Sequence, residues 1–82
     1  MYKNKAENGR NNICGQKIKR FRENLPEKTS QRKLADMLQV KGLDLDKNAV
    51  QRIESGQRFV TDIELKCIAS VLGVSYQDLL DD

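Results

Sequence analysis

The sequence predicts an all-α fold: a compact five-helix domain over residues 13–82, preceded by a flexible basic N-terminal arm over residues 1–12. Three observations lead there. Apolar residues recur at steps of three and four in successive segments, and capping residues, Gly or Pro separate those segments. The composition, 38% hydrophobic and 33% charged with one Pro, five Gly, two Tyr and two Phe, is globular and unlike that of a β-sandwich or a disordered chain. Finally, 82 residues leave room for one small core of packed helices, and an elaborate active site does not fit around it.

Residues 1–12 carry almost no apolar side chains and include Lys3, Lys5 and Arg10. They read either as an untidy terminus or as a basic arm that reaches DNA phosphates or a minor groove. From about Ile13 to Asn24, the positions Cys14, Ile18, Phe21 and Leu25 follow at steps of four, three and four, which defines a first helix. Pro26 disfavours helical geometry at Leu25 and ends it. Lys17, Lys19, Arg20 and Arg22 fill the remaining surface, with Arg22 near the buried edge.

Ser30 caps a second helix whose inward face is Leu34, Ala35 and Leu38 and which closes at Gln39-Val40. Gln31, in its first turn, sits at the positive end of the helix dipole, a place for a phosphate oxygen; a plain polar first-turn residue is the other reading. Gly42 then breaks the helix, and Leu43 and Leu45 are expected to tuck onto the core. Asp46 and Gly56 bracket a third helix, one by capping its start and the other by taking the left-handed conformation at its end. Within it, Val50 and Ile53 share a face fit for burial, whereas Lys47, Asn48, Gln51 and Arg52 point elsewhere. Asn and Gln can bond adenine bidentately and Arg or Lys suits guanine, so this row has the chemistry to read a major groove. A solvated polar face would look the same by composition.

The loop Gln57-Arg58-Phe59-Val60 follows, with Arg58 expected to be exposed and Phe59 or Val60 to anchor it. Thr61 and Glu64 form a capping box that starts a fourth helix with Leu65, Ile68, Ala69 and Leu72 on one face, ending at Gly73. Ser75 caps a short fifth helix, with Leu79 and Leu80 expected inward before the acidic Asp81-Asp82.

Net charge is +3 but unevenly spread: residues 1–33 hold ten basic and three acidic residues, 34–60 four of each, and 61–82 one basic and five acidic. Such a gradient suits a nucleic-acid face opposite a partner-facing or solvated one. It would draw an anionic membrane too, but no stretch approaches a transmembrane span, no signal peptide precedes the domain, and no bulky apolar face backs the basic residues. Cys14 and Cys67, far apart and without CxxC spacing, are read as buried free thiols in a reducing cytoplasm. Without any His, neither a usual zinc set nor a Ser/His or Cys/His pair can be assembled, so no metal, cofactor, catalytic residue or enzyme activity is expected.

Three ordered motifs, Ser30-Gln31-x-x-Leu34-Ala35, Val50-x-x-Ile53-Glu54-x-Gly56-x-Arg58 and Leu65-x-x-Ile68-Ala69-x-x-Leu72-Gly73-Val74-Ser75, carry a family resemblance. From about Ile13 to Leu80 the chain resembles the helix-turn-helix domain of phage Cro and repressor proteins, the XRE-like family. That resemblance implies a repressor-like five-helix domain binding a double-stranded DNA operator as a homodimer. It places Lys47, Asn48 and Arg52 at base-reading positions of a recognition helix over residues 47–54, with Gln51 a fourth. It makes Gln31 and Ser55 phosphate contacts and Arg58 a basic loop contact near the backbone or minor groove. Glu54 matches an acid that pairs inward with an Arg of the first helix, here Arg22, as a structural ion pair. The turns before the second and third helices are longer than the family's usual ones, which leaves the angle between those helices open. The implied function is a sequence-specific transcriptional repressor. The alternative is an antitoxin-like domain whose main partner is a protein and whose DNA binding serves autoregulation.

Overall fold

Side-chain caps set where most of the helices begin. In the computed structural model, which describes residues 9–81, the chain forms α1 (Gly15–Glu23), α2 (Gln31–Val40), α3 (Lys47–Ser55), α4 (Asp62–Leu72) and α5 (Tyr76–Leu80), with no strand among the described residues. The Ser30 hydroxyl accepts from the Lys33 amide and the Asp46 carboxylate from the Ala49 amide. Thr61 with Glu64 and Ser75 with Asp78 make reciprocal capping boxes. No helix among the described residues is long and apolar enough to cross a membrane.

One core holds the helices together. Cys14 and Ile18, then Leu34, Ala35 and Leu38 of α2, Leu45 of the connection that follows, Val50 and Ile53 of α3, Ile68, Ala69 and Leu72 of α4, and Leu79 of α5 are all buried in it. Each fully buried Ile or Leu contributes about 1.5–3 kcal/mol by leaving water. The long α2–α3 connection is pinned: Lys41 and Leu43 amides both donate to the Leu38 carbonyl, the Gln39 amide group donates to the Leu45 carbonyl, and Leu45 is buried beneath. The turn therefore has a fixed shape despite its length, and α3 packs directly on α2 and α1.

The structure departs from the sequence expectations at several points. α1 begins at Gly15, not Ile13, and Ile13 is exposed; Cys14 occupies the cap position with no side-chain bond, and Asn12 Oδ1 accepts from the Gly15 amide instead, at 2.8 Å. Leu80 is exposed, because a single turn of α5 has one inward position and Leu79 takes it. Of the two anchors the sequence allowed for the loop before α4, Val60 is the one that packs on the core and Phe59 is exposed. Cys67 is half-buried, while Cys14 is sealed in the core, where burial pushes its thiol pKa up.

The arm expected over residues 1–12 divides. Its first eight residues lie outside those described, but Arg10 to Asn12 are tied to the end of α3. Arg10 Nη2 donates to the Glu54 carbonyl at 2.7 Å, and the Asn11 amide to the Gly56 carbonyl at 2.8 Å. Asn11 Nδ2 donates to the Gln57 carbonyl at 2.8 Å, and Asn12 Nδ2 to the carbonyls of Ile53 at 3.0 Å and Arg58 at 2.7 Å. These bonds satisfy carbonyls that a helix end otherwise leaves to water. Two glycines make the approach possible. A Cβ on Gly15 would collide with the Ile53 carbonyl oxygen, and one on Gly56, at φ 85°, would lie 2.6 Å from Arg10 Cζ.

Candidate nucleic-acid interface

α3 is an amphipathic helix held at both ends, by Asp46 at its start and by left-handed Gly56 at its finish. Its inner side is shut: Val50 is 2% and Ile53 1% exposed. The outer side carries Lys47, Asn48, Gln51, Arg52 and Ser55, all exposed. Gln51 follows Lys47 by four, Arg52 follows Asn48 by four and Ser55 follows Gln51 by four, so the five make one continuous strip along the helix. The strip is rich in hydrogen-bond donors. The four expected base-reading residues are thus brought together on one solvent-facing side.

Behind that strip Glu54 is the hub of a buried polar network. Arg22 Nε donates to Glu54 Oε2 at 2.8 Å and Nη2 to Oε1 at 3.0 Å, with both side chains nearly closed to solvent. Arg22 Nη1 also donates to the buried Thr29 carbonyl at 2.8 Å, tying the loop before α2 to the same point. The hydrogen bonds to Glu54 raise the Arg22 pKa against the opposing effect of burial. Arg22 and Glu54 therefore meet as an inward ion pair that bolts α1 to α3.

The residues matched to phosphate contacts are less uniform. Gln31 Nε2 donates to Glu54 Oε1 at 3.0 Å, so its side chain is drawn against the hub. What remains for an anion is the first turn of α2, whose N–H groups have no partner inside the helix apart from their caps. Ser55 is exposed, and its hydroxyl donates to the Arg52 carbonyl at 3.2 Å. Arg58 is not the open loop residue that was expected. Its Nη1 and Nη2 donate to the two carboxylate oxygens of Glu64, each at 2.9 Å, and Nη1 also donates to the Phe59 carbonyl at 3.1 Å. Each partner shifts the other: the Arg58 hydrogen bonds hold the Glu64 carboxyl below its usual range, and Glu64 raises the Arg58 pKa.

Two features escaped the sequence reading. The Asn11-Asn12 strap left one local trace, since Asn12 stands three residues before Gly15 with the spacing of a cap, but its other partners lie far along the chain. Arg58 and Glu64 are six apart across a loop, a spacing with no helical meaning.

The model of the family described as Helix-turn-helix matches residues 18–79, which takes in α3 and both helices packed on it. The chain belongs to the helix-turn-helix family. In this helix-turn-helix domain α2 and α3 pack on one another, and the XRE-like, Cro-like resemblance of its motifs holds. Among solved structures, the domain is similar to the restriction-modification controller protein C.AhdI from Aeromonas hydrophila. The match has 29% identity and a TM-score of 0.63, and covers 80% of this chain and 86% of that one. A comparison with curated proteins found no match. At the level of the family, the helix-turn-helix chain is a DNA-binding transcriptional regulator.

Proposed function

We propose that the protein is a transcriptional repressor that binds a specific double-stranded operator as a homodimer, with α3 in the major groove. The observation that carries this is the exposed strip Lys47, Asn48, Gln51, Arg52 and Ser55 on a helix whose opposite side is sealed in the core. A helix so anchored presents its donors at fixed positions, and the first four residues address base edges: Asn48 and Gln51 suit adenine, Lys47 and Arg52 guanine. The Ser55 hydroxyl and the first-turn amide of Gln31 hold phosphates beside them, with the basic first third of the chain adding attraction. Similarity to a restriction-modification controller supports the regulatory part of the reading.

The homodimer is supported by the surface of α4 and α5. Ile63, Tyr76 and Leu80 are exposed and, with Leu65, Asp62 and Lys66, line an open apolar groove between α4 and α5. Asp62 and Lys66 at its edge bear opposite charges, so a second copy related by a two-fold axis can set Lys66 against Asp62 twice while covering the apolar residues. A second copy is thus the occupant that this face suits.

Selection from a random duplex pool tests the proposal. The expected product is a two-fold symmetric sequence whose half-site centres lie about one helical turn apart. Its affinity should fall steeply from low to physiological salt as counterions are released. No enrichment, or an affinity flat with salt, overturns the reading.

A further inference from the structure

We infer that Glu64 is an internal competitor for phosphate: it occupies the Arg58 guanidinium and so withholds one sequence-independent contact from DNA. The inference rests on the DNA-binding function proposed above and says which basic residue beside α3 does not take part. Arg58 is joined to the end of that helix, since its amide donates to the Arg52 carbonyl at 3.2 Å and its carbonyl accepts from Asn12 at 2.7 Å. By position it is the natural cation to meet a phosphate next to the strip.

The geometry of the pair decides what the cation does. Two parallel N–H to O bonds of 2.9 Å are a fork geometry by which Arg binds either a carboxylate or a phosphate, so a phosphate cannot use that edge of the guanidinium while Glu64 holds it. Glu64 is the better placed of the two. Its side chain is 12% exposed, its Oε1 also accepts from the Thr61 amide at 2.9 Å, and it sits in the first turn of α4, where the helix dipole favours an anion. The Arg58 side chain remains 33% exposed, so a phosphate can approach it, but must do so against a fixed neighbouring carboxylate. The pair therefore shows DNA a nearly neutral site where the sequence alone suggests a positive one.

Glu64→Gln frees the cation and keeps the fold, because Gln serves as well as Glu at the third position of a capping box. Binding of a random-sequence duplex is measured against salt for wild type, Glu64→Gln, the double variant Arg58→Ala with Glu64→Gln, and Asp36→Asn. The last removes the same charge from the exposed side of α2 without touching Arg58. Glu64→Gln should bind more tightly than all the others, with a log–log salt slope steeper by about 0.9, so that it loses about threefold more affinity than wild type between roughly 50 and 200 mM salt. The double variant should match wild type. An unchanged slope in Glu64→Gln, an equal gain in Asp36→Asn, or weaker binding by Glu64→Gln overturns the inference, the last by showing that Glu64 aims Arg58 at DNA. Should Glu64→Gln fail to fold, Arg58→Gln, which keeps Glu64 and its capping box, decides instead: a slope equal to that of wild type is expected, and one shallower by about one contact would mean that Arg58 holds a phosphate despite its partner. Wild type that binds no duplex sinks the proposed function and this inference together, whereas wild type that binds with unresponsive variants sinks the inference alone.

Discussion

Arg52 stands in the outer strip of α3 with its side chain exposed, while Ile53 beside it is closed into the core. A residue so placed has little to do for the fold. Arg52→Ala should cost about 1–3 kcal/mol on the best operator and relax preference at one base pair, a G·C, with little effect on non-specific binding. Parallel selections with wild type and variant check it, and identical preferred sequences would refute the assignment. Glu64 makes the opposite case, since its effect on stability is read through pH. Arg58 holds its carboxyl below the ordinary value, so the folded state takes up that proton less readily than the unfolded chain. The stabilisation is complete above the unfolded value of about 4.3 and is lost as pH falls through the lower folded one. Urea midpoints of wild type and Glu64→Gln should therefore differ at neutral pH and converge in acid. A gap that stays constant with pH would remove the ion pair as its cause. The gap itself should be modest, because a third of the Arg58 side chain remains in water.

At the scale of the helices, Arg22 and Glu54 join the end of α1 to the end of α3, with Thr29 and Gln31 fastened to the same point. Glu54→Ala leaves the Arg22 guanidinium buried without its partner and should cost about 3–5 kcal/mol. Thermal unfolding measures this, and an unchanged melting temperature would mean that the pair contributes nothing. This bolt was legible in the sequence because Glu54 falls at a motif position and Arg22 near the buried edge of α1, and so were the starts of α2 to α5, since a cap and its amide lie only three residues apart. The second duty of Gln31 was not legible. A side chain at a first turn can face water or turn back, and only the packed position of Glu54 decides between them. The start of α1 was misplaced for a related reason: periodicity admitted Ile13, whereas the chain is captured one step earlier by Asn12 and the carbonyls of α3. Exposure of Phe59 and Leu80 follows the same logic, for hydrophobicity announces a wish to be buried but the available places had gone to Val60 and Leu79.

At the scale of the whole molecule, the basic first 33 residues and the acidic last 22 carry opposite net charge along the chain, while α3 presents the donor strip and α4 with α5 the apolar groove. If that groove joins two copies, Ile63→Asp places two like charges against apolar partners and should yield a monomer that no longer binds both half-sites together. Sedimentation velocity on the folded variant reads the outcome, and a variant that stays dimeric would mean that the copies meet elsewhere. The strap bears on the history of the chain as well as its final form. Arg10, Asn11 and Asn12 are synthesised well before their acceptors, which lie 41 to 46 residues further along. They cannot dock until α3 has emerged and wound to its end, so the strap closes a nearly finished structure and does not seed one. Asn12→Ala should then accelerate unfolding in stopped-flow experiments while refolding keeps close to its wild-type rate. A proportionate slowing of refolding would instead place the strap inside the folding nucleus, which would make the beginning of this chain a participant in folding before its partners are secured.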